Sequence, residues 1–290
     1  MFVKTIRSKM RKGSEGMMKL KTAKVKMKKL VFSASMIFAI GAAKGSDTDS
    51  IAQVTWKTLP RYCSSNIGLV KMPVKGIVVE HHGLGCGYFK PDDTRAFGDF
   101  AERGIVRIHP HYSPWAWMND HAVRLSDALV TVVKRHYELG DDAIVVSTGG
   151  SMGGLGCLVW ARYSQHRIAA VVANCPVTDL AYHYTERPDL PRTIGCAFAD
   201  APDLQAAIMA HSPLHLVKSM PDIPYFIVHS TSDEAVNKER HSDRFVAAME
   251  AAGRKIEYLE SEGTGHCQLR PEVQARFDAA LLLPFKAKCN

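Results

Sequence analysis

From about residue 70 onward, short β-branched apolar runs alternate with longer amphipathic stretches. Residues 76–81 (GIVVEH), 104–109 (GIVRIH), 142–147 (DAIVVS), 168–174 (IAAVVAN), 224–229 (PYFIVH) and 255–259 read as strands. Between them, 92–103, 120–137, 153–164 and 239–252 read as helices, and a last helix starts at Pro271. The clearest helix places Ala122, Leu125, Leu129 and Val132 or Val133 on one face, the 3.6-residue period of a helix packed on one side. Most of the strands are apolar without alternation, which marks a sheet covered on both faces. The pattern predicts βαβ units and an α/β fold with a mostly parallel, doubly wound sheet. Residues 50–70 add one or two edge strands to this expectation.

At 290 residues, 46% of them apolar and 23% charged, the chain suits one large domain whose core needs no disulfide or metal. The same composition excludes a coiled coil, a collagen and a polytopic membrane protein. One segment breaks the rhythm. Residues 175–222 separate two strands and carry Pro176, Pro188, Pro191, Pro202, Pro213 and Pro221. Connections this long in an α/β domain usually serve function, so a small cap over the site is predicted there.

The net charge of +8 is concentrated at the N-terminus. Residues 1–30 hold eleven Lys or Arg and a single acid, Glu15, so the rest of the chain is slightly acidic. No basic stripe interleaved with aromatics follows, and nucleic acid is not expected as a partner. The basic run leads into an apolar stretch at 30–43 (LVFSASMIFAIGAA). That length suits a signal-peptide core better than a membrane span, the other reading being an uncleaved anchor. The expectation is a leader over 1–45, cleaved near Ala43, and a domain over 46–290 exported to the periplasm or medium without stable membrane insertion. Met27-Lys28-Lys29 begins a well-proportioned signal by itself, so initiation at Met27 is expected.

The seven cysteines form no C-x-x-C pair, which excludes zinc-ribbon and thioredoxin-type sites. They read mostly as buried small hydrophobes. His81, His82, His109 and His111 lack acidic partners at metal-site spacing, so neither a metal nor a cofactor is expected.

The strongest chemical signal is Gly149-Gly150-Ser151-Met152-Gly153, a G-x-S-x-G between a predicted strand and a predicted helix. That context is the one a nucleophile elbow needs. A phosphate loop is the bland alternative, but neither G-K-[ST] nor G-x-G-x-x-G stands at this strand end. A serine hydroxyl needs a base, and the base needs an orienting acid. Asp233 follows the strand at 224–229, and His266 follows the strand at 255–259, so the order is Ser151, Asp233, His266. The competing role for Asp233 is a helix N-cap, with Glu234 as reserve acid. The competing role for His266 is that of a surface-loop histidine. An oxyanion hole would use the amides of Met152 and Leu84, with Gly83 as the other choice for the second. Tyr112, Trp115 and Trp117 follow the strand at 104–109 and read either as a substrate pocket or as packing between cap and core.

Residues 70–286 resemble the α/β-hydrolase superfamily. The features are His82-Gly83, the G-G-S-M-G-G elbow, Ser212-Pro213-Leu214, His229-Ser230-Thr231-Ser232-Asp233 and Gly265-His266. The nearer likeness is to the catalytic domain of the prolyl oligopeptidase family and to dienelactone-hydrolase-like esterases. The resemblance implies an eight-stranded sheet and a Ser151–Asp233–His266 triad in a serine hydrolase. Two departures favour an esterase over a peptidase: residues 44–70 are too short for a gating domain, and His82 stands where those peptidases carry Tyr. A small ester is the expected substrate, with a peptide substrate or a non-catalytic binding role as alternatives.

Overall fold

The computed structural model describes residues 51–86 and 94–286, all within the unit Lys44–Asn290. The predicted leader, its cleavage near Ala43 and the start at Met27 lie outside the described residues.

The strands are β1 (Cys63–Ser65), β2 (Gly76–His81), β3 (Ile105–Pro110), β4 (Ile144–Gly150), β5 (Ala170–Asn174), β6 (Tyr225–Ser230) and β7 (Ile256–Ser261). They form one sheet in the order β1-β3-β2-β4-β5-β6-β7. Every pairing is parallel except β1 with β3. The strand order reverses between β2 and β4, and such a switch point opens a crevice at the carboxyl ends of the strands. There β2 and β4 are in register, with His81 beside Gly149.

The helices are α1 (Thr94–Glu102), α2 (Asp120–His136), α3 (Met152–Tyr163), α4 (Leu180–Glu186), α5 (Leu190–Ala197), α6 (Leu204–Ala210), α7 (Pro213–Leu216), α8 (Arg244–Ala251) and α9 (Pro271–Lys286). Alternate strand residues feed two cores. Ile77, Val79, Val106, Ile108, Val145, Val171 and Ile227 pack with α2 and α3 on one face. Val78, Ile105, Ile144, Val146, Val172 and Val228 pack with Leu281 and Phe285 of α9 on the other. Burying both sets explains the unbroken apolar runs, each such side chain contributing about 1.5–3 kcal/mol.

Helix α3 is buried from Met152 to Ala161. Its Trp160 donates an indole N–H to Asp127 at 2.9 Å, and the same carboxylate accepts from Ser164 and the Gln165 amide. That buried acid is therefore fully used as an acceptor rather than left as a cost. Helix α2 begins at Asn119, whose side chain accepts from the Ala122 amide, and ends on Lys134, Arg135 and His136. Both ends suit the helix dipole.

The long excursion is built from the four short helices α4 to α7. Asp179 caps α4 and Asp203 caps α6. Leu180, Leu190, Ile194 and Ile208 bury the inner face. The Ser212 hydroxyl accepts from the Leu180 amide at 2.9 Å, and the Leu214 amide donates to the Thr178 carbonyl at 2.8 Å, closing the segment on itself.

Three expectations need correction. The described residues give seven strands, not eight. Upstream of β2 the chain spends most of its length in 3-10 turns at Leu59–Arg61 and Ile67–Leu69, and only the three-residue antiparallel edge β1 pairs. Strand β4 runs through Thr148, Gly149 and Gly150, which pair with Val172, Ala173 and Asn174; glycines weaken a strand signal without forbidding the strand. The helix expected over 239–252 opens with a π-helical turn at Glu239–Asp243 before α8. Among the described residues no helix is long and apolar enough to cross a membrane.

Candidate active site

Ser151 sits between β4 and α3 with φ 59 and ψ −122. A non-glycine residue in that region costs about 1–3 kcal/mol and persists only where its surroundings impose it. Here the Ser151 amide donates to the Asn174 carbonyl at 2.9 Å and its carbonyl accepts from the Leu155 amide at 3.1 Å. The two flanking glycines are forced by packing. A Cβ on Gly149 would collide with the Gly153 backbone, and one on Gly153 with the His81 carbonyl. Met152 is the first residue of α3, so its amide is one of the helix's spare donors and points positive partial charge at the turn.

The Asp233 carboxylate is fully buried. Its Oδ1 accepts from the amides of Ala235 and Val236 at 2.8 and 2.9 Å. Its Oδ2 accepts from His266 Nδ1 at 2.7 Å and lies 3.3 Å from His229 Nε2. The two roles weighed for Asp233 are thus shared between its two oxygens: one caps a turn, the other meets His266. Burial alone would raise this carboxyl, but bonds from His229, His266 and Val236 hold it well below its ordinary range. Glu234 is exposed. Burial also opposes charge on His266, yet the Asp233 and Cys175 contacts outweigh it and push its pKa up to about 9.

Ser151, His266 and Leu84 line one cavity of about 470 Å³ at the carboxyl ends of the strands. The Ser151 hydroxyl is not hydrogen-bonded to His266 in this resting arrangement; His266 Nε2 lies 3.7 Å from Cys267 Sγ. Such bonds commonly tighten only when substrate arrives. A larger cavity of about 830 Å³ lies between α9 and the opposite, amino-terminal ends of β5, β6 and β7.

The facing wall carries His81, His82, His109 and Glu80. Burial and the neighbouring histidines lower His81 to about 3, and burial first of all lowers His82 to about 4. Their Nε2 atoms have no hydrogen-bond partner among the described residues. The cap contributes His183 and Arg187 to the rim. Glu186 bonds His183 Nδ1 within the cap at 2.5 Å and fastens the cap to the body through His241 Nε2 at 3.0 Å.

Of the three aromatic residues expected to bind substrate, only Trp117 borders the cavity. It is 1% exposed and donates its indole N–H to Thr193 of α5 at 3.2 Å, so it also packs the cap onto the core. Tyr112 is 4% exposed, with its hydroxyl 3.1 Å from His81 Nδ1; the indoleless ring went inward with the apolar core. Trp115 is 48% exposed and stands outside the cavity lining. The loop turns sharply at Trp117 and Met118, both with positive φ, and that reversal separates residues adjacent in sequence.

Sequence reasoning missed Asn174, Cys175, His229 and Cys267. Asn174 holds the elbow through its carbonyl and the His266 loop through its side chain, which donates to the Cys267 carbonyl at 3.0 Å. Cys175 and Cys267 both adopt positive φ, as Ser151 does. The sequence signal for them was position alone: each adjoins a strand end or a site residue.

A model of the prolyl oligopeptidase family matches residues 125–289. Among solved structures, the chain is similar to a puromycin-hydrolyzing peptidase of Mycobacterium tuberculosis, at 20% identity and TM-score 0.59, covering 73% of this chain and 35% of that one. It is also similar to esterase B of Lactobacillus rhamnosis, at 15% identity and TM-score 0.56, covering 76% and 82%. A third is a thermophilic esterase of Thermogutta terrifontis, at 22% identity and TM-score 0.51, covering 72% and 83%. The chain spans about a third of the length of the peptidases and most of the length of the esterases. At these identities the likeness carries the α/β-hydrolase fold. None of the curated proteins matches the sequence.

Proposed function

The chain belongs to the prolyl oligopeptidase family and is a serine hydrolase, and from that premise we propose that it is an exported esterase that cleaves a small ester through an acyl-enzyme. The observation that carries the reading is the 2.7 Å Asp233–His266 bond on the cavity that also holds Ser151. With Nδ1–H donated to the carboxylate, Nε2 is left as the acceptor. Ser151 Oγ attacks the ester carbonyl as its proton passes to His266 Nε2, and Asp233 stabilises the imidazolium. The Met152 and Leu84 amides receive the developing oxyanion. His266 then returns its proton to the departing alkoxide. Water, activated by the same nitrogen, releases the acid and restores Ser151.

Two features favour an ester. The cavity of about 470 Å³ suits a small acyl group, and the Tyr112 hydroxyl is engaged with His81 rather than free to assist at the oxyanion. The second reading, a peptidase, is favoured by the family itself and by the puromycin-hydrolyzing relative. A paired assay separates them: kcat/KM on short-chain nitrophenyl esters against aminoacyl and prolyl nitroanilides, with Ser151→Ala as blank. Ester turnover alone supports the esterase, and amide turnover of comparable efficiency replaces it with the peptidase. The export reading rests on the basic and apolar leader. N-terminal sequencing of protein recovered from outside the cytoplasm is expected to begin shortly after Ala43.

A further inference from the structure

Two cysteine thiols and the active-site imidazole converge beside the cavity, His266 and Cys267 on its lining and Cys175 fully buried. The Sγ atoms of Cys175 and Cys267 and a ring nitrogen of His266 all lie within 4.8 Å of one another. Because Asp233 holds Nδ1, Nε2 is the nitrogen that faces the thiols, 3.7 Å from Cys267 Sγ. Ligands about 2.0–2.3 Å from one zinc ion stand roughly 3.5 Å apart at the tetrahedral angle. The three atoms are therefore close to three corners of a zinc-sized tetrahedron.

The surroundings match what such a site requires. A metal-bound histidine usually donates its other N–H to a carboxylate, which fixes the ring and its tautomer; Asp233 does this to His266. Two thiolates would cancel the charge of a divalent ion, which matters at a position as buried as Cys175. His266 and Cys267 line the cavity, so an ion can enter from it. The second thiol cluster, Cys175 with His229 and Asp233, is weaker, because both His229 ring nitrogens already bond Ser242 and Val236.

We propose that Cys175, Cys267 and His266 form a binding site for a zinc-class divalent cation whose occupancy switches the hydrolase off. The ion takes the Nε2 lone pair that would otherwise accept the Ser151 proton; each protonated thiol, and the imidazolium where His266 is charged, gives up its proton to solvent. The binding half of this proposal stands on the cluster geometry alone; the inhibitory half rests on the reading of His266 as general base.

The test uses chelator-treated full-length protein titrated with Zn2+ for calorimetry and turnover, and with Cd2+ for the ultraviolet thiolate-to-metal charge-transfer band. One ion per chain is expected in the wild type and in Ser151→Ala. Zn2+ is expected to suppress ester turnover at least tenfold, with recovery on adding chelator. Cys175→Ala and Cys267→Ala are each expected to weaken binding at least tenfold and to raise the half-inhibitory Zn2+ concentration by a similar factor, relative to each variant's own metal-free rate. Cys86→Ala, whose thiol lies on the same cavity, is the control and keeps wild-type binding. Unchanged binding in both cysteine variants would overturn the site. Should those variants fail to fold, the Cd2+ band of the unmutated protein decides: two thiolates per bound ion supports the site, and no band overturns it. Thiolate binding that leaves turnover untouched would overturn the inhibitory role, and an inactive Ser151→Ala would show that the hydrolase reading survives it.

Discussion

The cavity has two histidine walls, and their chemistry runs in opposite directions. On one, His266 faces a buried carboxylate and is pushed up to about 9. On the other, burial first of all, with repulsion among the clustered histidines, lowers His81 to about 3 and His82 to about 4. Burial accounts for part of the difference, His81 and His82 being 2% exposed against 31% for the His266 side chain. The neighbour supplies the rest. Asp233 has both oxygens engaged and keeps its charge, whereas Glu80 on the other wall is spent on Arg107 at 3.0 Å from Nε. One cavity thus holds a basic imidazole in His266 and two that resist protonation in His81 and His82.

The comparison breaks most visibly at Ser151, the proposed nucleophile. Ser151→Ala is expected to lower kcat by roughly 10⁴-fold or more while leaving the melting temperature near that of the parent. Retention of more than trace activity would remove Ser151 from the mechanism. Next comes the carboxylate that distinguishes the walls. Asp233→Asn is expected to cost roughly 10³- to 10⁴-fold in kcat, because the amide no longer stabilises the imidazolium or sets the tautomer. It should also bring the His266 titration down toward the facing wall, an effect read by NMR of the ring protons.

The pH response sharpens the contrast further. As pH falls, His266 should protonate first, near 9, and His82 and His81 only near 4 and 3. The acid limb of kcat/KM is therefore expected above the ordinary imidazole value of 6.5, and a limb at or below 6.5 would show that the Asp233 and Cys175 contacts do not raise His266. Stability follows with opposite signs. His266, raised in the folded state, contributes stability that is complete below 6.5 and is lost as pH rises through about 9. His81 and His82, depressed in the folded state, contribute stability that is present above 6.5 and is lost as pH falls toward 4 and 3. Chemical denaturation at a series of pH values would show both slopes. The smallest expected effect is at the cap. Trp117→Phe removes the indole bond to Thr193 and should cost about 1 kcal/mol, measured as a shift in denaturation midpoint with the pH profile unchanged.

Much of the site was legible because its chemistry is local. Gly149 and Gly153 announced the elbow since no larger residue clears the backbone there, and Asp233 and His266 each follow their own strand. The aromatic loop was read less well. Tyr112, Trp115 and Trp117 share a segment of six residues but end in the core, in solvent and on the cavity rim respectively. Their fates depend on the left-handed turn at Trp117 and Met118, which no aromatic pattern encodes.

Apolar periodicity and strand–turn–helix spacing were enough to determine the α/β class, the tight turn at Ser151 and the placement of Asp233 and His266 after their own strands, because those follow from burial and backbone sterics within short segments. The cysteines mark the boundary of that logic. Cys175 and Cys267 are 92 positions apart in the chain and carry no motif. Only the parallel pairing of β4, β5, β6 and β7 brings the loop after β5 and the loop after β7 to the same carboxyl-terminal end of the sheet, where two thiols meet the imidazole. Contacts between strand ends depend on strand order, and strand order is a property of the folded sheet.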